Sequence, residues 1–403
     1  MNVLFLTLDY ISNTEGRGIY TDLIRKFRKE GHEVYVVTPG ERRLKIKTCV
    51  TESKGCHILT VKTLNIQKTN VIEKGIGILL LEKQYKTAIK KYYKGIKFDL
   101  ITYSTPPVTY TNILKYLKQK NPTAITYLQL KDIFPQNAVD IEMLSTKGLR
   151  WLLYRYFRNK ETKLYAYSDY IGCMSPANVE YVLKHNPEIA YEIVGVAPNS
   201  VELRFESVES VNSLKIREKY GLPIDKPIFI FGGNLGKPQG ISFLIDCLNA
   251  NAGRRDCHFL VIGTGTELPR LKAWYKKNKP QSVTVMNGLP QADYDQLVKS
   301  CDVGLIFLDH RFTIPNYPSR LLSYLENKMP VLCATDPNTD MGRIAEDNGY
   351  GFWCESNSVE AFTAILDKMI HSDRKVMGEK GYEFLKNNYL VEHTYNAIVK
   401  HLV

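Results

Sequence analysis

Short apolar runs alternate with stretches whose apolar residues recur at helical spacing, almost from one end of the chain to the other. Residues 3–8 (VLFLTL) form a continuous apolar run of the length and kind found in buried parallel strands. A polar, glycine-containing loop over 12–18 follows. Then Ile19, Leu23, Ile24 and Phe27 predict a helix over 19–30 with one buried face. Gly31 closes that helix as a C-cap, and 33–39 (EVYVVTP) reads as the second strand. Residues 99–104, 124–130 and 170–175 continue the series. After a polar, irregular stretch over 205–225, a second series begins with strands at 227–233, 258–265, 283–289, 303–308 and 330–335. This alternation predicts an α/β protein of two doubly wound, Rossmann-like domains. The expected divisions are 1–200, 201–380, and a C-terminal helix over 381–403 able to pack back on the first domain. Ligands of such sheets bind beyond the carboxyl ends of the strands, so a cleft between two facing sheets is the expected active site.

Size and composition narrow the class. At 403 residues the chain exceeds one ordinary core. Its 44% hydrophobic and 24% charged residues are those of a soluble globular protein. The N-terminus lacks a basic n-region and a small-residue cleavage site, and no apolar run reaches the length of a spanning helix. Eight cysteines, none in a C-x-x-C pair, suggest reduced structural thiols in a cytosolic compartment rather than a zinc site or disulfide framework. The net charge of +12 is concentrated in one half. Residues 1–200 hold 30 Lys and Arg against 18 Asp and Glu, whereas 201–403 hold 24 of each. A basic half can face nucleic acid or an anionic membrane, or simply be a well-solvated surface.

The richest chemistry lies in 314–336 (IPNYPSRLLSYLENKMPVLCATD). It reads as a loop, a helix opening at Pro318, and a buried strand. Ser319 and Arg320 then stand at the positive end of the helix, where free N–H groups attract phosphate. Glu326 follows seven residues after Ser319 on the same face, suited to ribose hydroxyls. The same residues also fit an ordinary amphipathic helix with a solvated Arg and Glu.

Five segments together resemble the retaining family-4 glycosyltransferases of the GT-B fold, in particular bacterial enzymes of capsule, O-antigen and exopolysaccharide synthesis. They are EGRGIYTDLIRKFRKEGHEVYVVTP, APNSVE, FGGNLGKPQG, VIGTGTEL, and MNGLP with PSRLLSYLENKMPVLCATD, in the family's order. Many members carry Glu-x7-Glu; here Pro318 stands eight residues before Glu326, as in the subgroup with Pro-Ser-Lys or Pro-Ser-Arg. The family's Arg and Lys in the first donor loop are also displaced: the chain has Gly233-Asn234-Leu235, with its one loop lysine at Lys237. On the acceptor side Lys131-Asp132 stands where the family often has His-Asp.

The resemblance implies transfer of a sugar, with retention, from a nucleotide diphosphate (a UDP-sugar) to a glycan acceptor carried on a polyprenyl diphosphate. Arg320, Ser319, Lys237 and the amides around Gly233 and Asn234 would stabilise the departing diphosphate, and Glu326 would hold the ribose. Gly16 and Gly18 can admit a close backbone approach to substrate, or simply form a tight βα turn. Gly263 and Gly265 follow a strand as in nucleotide-approaching loops, with Asn287 near the base. Asp132 is either a general base or a capping aspartate in the DIFP turn. Asp293-Tyr294-Asp295 mimics a metal-binding D-x-D but falls where a helix starts, so an N-cap role is expected, with no essential metal and no cofactor. Residues 83–98 and 149–160 mix Lys and Arg with aromatic and aliphatic residues, as basic amphipathic helices at membrane interfaces do. No nucleic-acid motif accompanies them, so the expected location is cytoplasmic and peripheral at the inner face of the plasma membrane. A nucleotide-sugar epimerase of the same fold and a non-catalytic nucleotide- or RNA-binding module are the rival readings.

Overall fold

Why the apolar runs become strands is plain from their burial: 0–1% of Val3, Leu4, Phe5 and Leu6 is exposed. A strand so buried needs helices on both faces, and the intervening amphipathic segments supply them. The computed structural model describes residues 1–67, 69–203 and 213–402. It divides into unit 1, Met1–Glu202 with Leu390–Val403, and unit 2, Leu203–Tyr389. The junction expected within 205–225 falls partly on 204–212, outside the described residues.

In unit 1 the elements run β1 (Asn2–Leu6), α1 (Ile19–Lys29), β2 (Glu33–Glu41), β3 (Cys49–Ser53), β4 (Cys56–Thr63), α2 (Val71–Tyr92), β5 (Leu100–Ser104) and α3 (Thr111–Lys120). They continue through β6 (Ile125–Leu130), α4 (Gln136–Asp140), α5 (Arg150–Ala166), β7 (Tyr170–Cys173), α6 (Pro176–His185) and β8 (Val194–Val196). Among the described residues these strands form one sheet in the order β3-β4-β2-β1-β5-β6-β7-β8. All neighbours are parallel except the β3–β4 hairpin. The chain reverses direction across the sheet between β1 and β5, the point where such folds leave a crevice.

Unit 2 runs α7 (Ser213–Lys219), β9 (Ile228–Asn234), α8 (Ile241–Ala250), β10 (His258–Thr264), α9 (Leu268–Asn278), β11 (Val283–Asn287), α10 (Gln291–Lys299) and β12 (Val303–Phe307). It ends with α11 (Arg320–Glu326), β13 (Val331–Thr335), α12 (Met341–Asp347), β14 (Gly351–Glu355), α13 (Val359–Ile370) and α14 (Arg374–Asn388). Its sheet is wholly parallel, ordered β11-β10-β9-β12-β13-β14, with the reversal between β9 and β12. The final helix α15 (Val391–Val399) belongs to unit 1, where Val391 and Ile398 join the core that also contains Phe27.

Three expectations are corrected. The helix over 314–336 opens at Arg320, not Pro318; Ser319 is its N-cap without a side-chain hydrogen bond, so the proline lies just outside the helix. Asp293 does not cap α10 either: the N-cap is Pro290, and Asp293 instead pairs with Lys219 at 3.3 Å. The segment 83–98 is no free amphipathic surface, because Tyr85, Ala88, Ile89, Tyr93 and Phe98 are all buried and the helix ends at Tyr92. Its lysines line the outside of a core helix.

The glycine loop before α1 owes its shape to a residue the sequence did not single out. Arg25, 3% exposed, pairs with the equally buried Asp22 and with Glu202 at 2.8 Å. It also donates to the carbonyls of Thr14 and Gly16, closing the loop over the helix start. Asp22 in turn accepts from the backbone N–H groups of Gly18 and Glu202. Removing one member of a buried pair strands the other charge. Arg25→Met is therefore expected to destabilise unit 1 by about 3–5 kcal/mol in chemical denaturation; a loss within the ordinary surface range would mean that the loop is held by other contacts.

Candidate active site

The residues expected on the donor side converge on the strand ends beside the reversal point of unit 2. Gly233 and Asn234 end β9, and Gly263 lies in register with Gly233 on one side and Asn287 on the other. The three therefore form a row across β9, β10 and β11. Asn287 is exposed, and its Oδ1 accepts from Lys272 at 2.7 Å. Two backbones meet here at closest approach. A Cβ on Gly263 would lie 1.9 Å from Gly233 O, and one on Gly265 would lie 2.3 Å from Leu235 O. Gly233 itself has φ +107°, open to glycine and strained for other residues. The glycines are thus required by the packing of one loop on the next, whatever else they do.

Arg320 reaches into this loop cluster from the first position of α11. Its Nη2 donates to Gln239 Oε1 at 2.7 Å and to Asn234 O at 3.3 Å, and the guanidinium lies 4.3 Å from the centre of the Phe231 ring. Burial pulls its pKa below the usual arginine value. Nη1 is buried with no hydrogen-bond partner among the described residues. An unpaired cationic donor in such a place is costly unless an anion completes it. Ser319 is exposed beside it, and Glu326 is the partly buried last residue of the same short helix. Lys237 is exposed in the one-turn 3₁₀ segment Lys237–Gln239, whose other end holds the Arg320 guanidinium through Gln239.

Tyr324, one turn after Arg320 on the same face, fixes the helix. Its hydroxyl donates to Ile230 O at 3.1 Å and accepts from Gly232 N at 3.2 Å, tying α11 to β9. Gly304 makes room for the ring, since a Cβ there would lie 2.2 Å from it. Tyr294, the centre of the Asp-Tyr-Asp triplet, packs its hydroxyl under Gly232. That triplet is a packing device. Sequence reasoning missed Tyr324 and Gln239; the available signal was a tyrosine four residues after the arginine on an otherwise apolar face, where a hydroxyl must find a partner.

Unit 1 gathers a second set of groups at the ends of β1, β5 and β6. Lys131 Nζ sits 3.9 Å from the centre of the Tyr20 ring, and Tyr20 Oη shares a 2.7 Å hydrogen bond with Ser104 Oγ. The backbone of Asp132 is held by Thr105: Oγ1 donates to Asp132 O at 2.8 Å and accepts from Asp132 N at 3.2 Å. The capping alternative for Asp132 does not apply to α4, whose N-cap is Pro135 with no side-chain bond. Burial pushes the Asp132 carboxyl up to about 6 against the opposing pull of Lys131. Burial likewise pushes Lys131 down to about 7, opposed by Asp9 and Asp132. Both groups are thus moved toward neutrality, the range that suits proton transfer. Gly18 is the N-cap of α1 and Gly16 lies just before it. A Cβ on Gly16 would meet nothing closer than 3.9 Å, so packing does not require glycine there.

Residues 212–384 match the family described as glycosyl transferases group 1. The chain is 21% identical over 396 residues to the probable glycosyltransferase WbjE of Pseudomonas aeruginosa, covering 96% of this chain and 94% of that one. It is 26% identical over 181 residues, 44% of each chain, to WcaI of Escherichia coli K12, a glycosyl transferase named for colanic acid biosynthesis. HepE of Anabaena, solved in complex with UDP-glucose, superposes with a TM-score of 0.69 at 13% identity over 100% of this chain and 99% of that one. The fold is that of the GT-B glycosyltransferases, two Rossmann-like halves.

The glycines separate by what their substitution should do. Gly263→Ala and Gly265→Ala force backbone from backbone, and each is expected to destabilise unit 2 by about 1–3 kcal/mol. Gly16→Ala should leave the melting temperature of the protein almost unchanged. Thermal unfolding of the three variants side by side checks both statements.

Proposed function

We propose, from the match of residues 212–384 to the group 1 glycosyl transferase family, that the protein moves a hexosyl group from a UDP-sugar to a growing glycan with retention of anomeric configuration. The acceptor is a lipid-linked glycan of surface polysaccharide synthesis, met by the protein at the cytoplasmic face of the membrane. The observation that carries this reading is the Arg320 guanidinium, fastened to Asn234 O and Gln239 Oε1 with its Nη1 unpaired. A preorganised cation beside a row of strand-end amides is what a departing diphosphate needs, because it meets the developing charge without reorganising. The complex of HepE with UDP-glucose supports the class of donor, and the naming of WcaI for colanic acid biosynthesis supports the class of product.

In this reading Ser319 and the Gly233–Asn234 amides add donors to the diphosphate, Lys237 adds a mobile charge, and Glu326 accepts from the ribose hydroxyls. Gly263, Gly265 and Asn287 border the base. In unit 1, Gly16 and Gly18 offer backbone to the sugar, and Asp132 takes the proton of the acceptor hydroxyl, its charge modulated by Lys131. All the groups required are side chains and amides, so the reaction is proposed to proceed without a bound metal or other cofactor. An epimerase of the same fold would need no acceptor; release of free UDP only when a glycan acceptor is supplied separates the two.

Arg320→Ala is expected to lower turnover of a UDP-sugar roughly 100-fold or more, with the fold intact by circular dichroism. Glu326→Ala should weaken donor affinity, read as a smaller nucleotide-sugar-induced rise in melting temperature. If both turnover and donor affinity survive both changes, the donor site lies elsewhere. With its carboxyl pushed up to about 6, Asp132 loses its basic form as the pH falls through that value. The kcat–pH profile should therefore decline below about pH 6, and Asp132→Asn should remove that limb while lowering kcat about 100-fold. An unchanged acid limb in the variant would assign the base to another group.

A further inference from the structure

The segment that delivers Arg320 to the strand ends is held by side chains from other parts of unit 2. Residues 308–319 join β12 to α11, and Pro315 and Pro318 stand on either side of Asn316 and Tyr317. Proline fixes its own φ and restricts the residue before it, so a pin at 316 or 317 is felt at 320. Asn338 Nδ2 donates to Phe312 O at 2.7 Å, and Asn316 N donates to Thr339 Oγ1 at 3.0 Å. The hydroxyls of Tyr317 and Tyr389 share a further hydrogen bond. Asn338 and Thr339 both belong to the turn over 336–340, between β13 and α12.

One carboxylate organises that turn. Asp336 is 0% exposed; its Oδ1 accepts from Asn338 N and Thr339 N at 2.9 Å, and its Oδ2 accepts from Thr339 Oγ1 at 2.9 Å. The last bond decides the direction of the threonine hydroxyl. Its proton is committed to Asp336, so a lone pair is left for Asn316 N. On the other side Thr335 Oγ1 donates to Asp336 O at 3.0 Å and accepts from Trp353 Nε1 at 2.9 Å, fixing the strand end from which the turn starts. Burial pushes the Asp336 carboxyl up to about 6, against the pull of its Thr339 and Asn338 donors. A desolvated carboxylate is costly in a turn that need only reverse the chain. What it adds is a fixed acceptor for the backbone of the facing loop.

That loop carries donors left open for a ligand. Asn316 Nδ2 and Arg320 Nη1 are both buried without a hydrogen-bond partner among the described residues. Such donors serve a ligand only where its oxygens arrive, and two on one stiff segment must be placed together. We infer that Asp336 and Thr339 are positioning residues for nucleotide diphosphate binding, setting through Asn316 the place from which Arg320 meets the diphosphate. The inference rests on the proposed donor site at Arg320, and the experiment separates the two.

The affinity of the full chain for UDP is measured by calorimetry, with circular dichroism as the check on folding. Thr339→Val keeps the side-chain volume and removes the hydroxyl, and is expected to weaken UDP binding roughly tenfold. Thr339→Ser restores the hydroxyl and should return the affinity to within about twofold of the parent. Asp336→Asn keeps one oxygen for the two backbone N–H groups but presents an amide to Thr339, so it should weaken UDP binding in the same direction. In an Arg320→Ala background, itself a weaker binder of UDP, Thr339→Val should cost almost nothing further, because its effect passes through the arginine. Ser282→Ala is the control for lost stability: it removes a buried 2.9 Å hydrogen bond to Asn251 O just before β11 and should leave UDP affinity unchanged. The inference is overturned if whichever of Thr339→Val and Asp336→Asn folds binds UDP like the parent, or if Thr339→Ser fails to restore binding. It is equally overturned if the loss is as large without Arg320 as with it, or if Ser282→Ala weakens binding as much. If the parent does not bind UDP, or Arg320→Ala binds it as tightly as the parent, the donor site itself is overturned and the inference with it.

Discussion

A single buried hydroxyl sets the geometry of the strand-end loop cluster in unit 2. Tyr324 Oη sits between Ile230 O and Gly232 N, so the orientation of α11 is fixed by the strand it crosses rather than by its own seven residues. A helix that short has little stability of its own. Its first residue, Arg320, can be aimed at the β9–α8 loop only because the next turn is bolted to β9. The space for that bolt comes from Gly304, and the strand end it bonds is supported from below by Tyr294. Tyr324, Ile230, Gly232, Gly304 and Tyr294, drawn from four parts of the sequence, thus help to set the position of one guanidinium.

The two units solve different problems with the same architecture. Unit 2 packs loop against loop through glycines, which brings backbone amides and one held cation together at its strand ends. Unit 1 places partly buried ionisable groups, Lys131 and Asp132, at the corresponding ends of its sheet, and burial rather than pairing moves their proton affinities toward neutrality. Of the 30 lysines and arginines in residues 1–200, Lys131 stands at the strand ends and twelve lie in 71–98 and 149–163, segments that belong to or adjoin α2 and α5, where apolar residues also stand exposed.

Much of the architecture was legible in the sequence, because a doubly buried parallel strand must be almost wholly apolar. The runs at 3–8, 227–233 and 303–308 could hardly be anything else. The edge strands β3, β8 and β14 were not legible: an edge or half-exposed strand tolerates polar residues, and in β3 all five residues are at least partly exposed. Helix starts were misjudged at Pro318 and Asp293 for a related reason. Proline and aspartate favour a helix beginning in isolation, but the observed starts are set by which residue the strand-end loop delivers to the helix axis.

For the site, the resemblance in motif order singled out Arg320, Gly233, Asn234 and Gly263, whereas the arginine by itself also fitted a solvated helix face. It did not reveal that Gln239 and Asn234 O would hold the arginine, nor that Tyr324 would anchor its helix, since those contacts join residues about eighty to ninety positions apart. Composition likewise identified a basic, aromatic-rich first half and two candidate surface segments, while only tertiary structure decided which apolar residues remained outside. In 83–98 they are consumed by the core; in 72–80 and 149–156 they are not. Local sequence determines which side chains are apolar and with what period, but whether a face is covered depends on neighbours brought up by the rest of the chain.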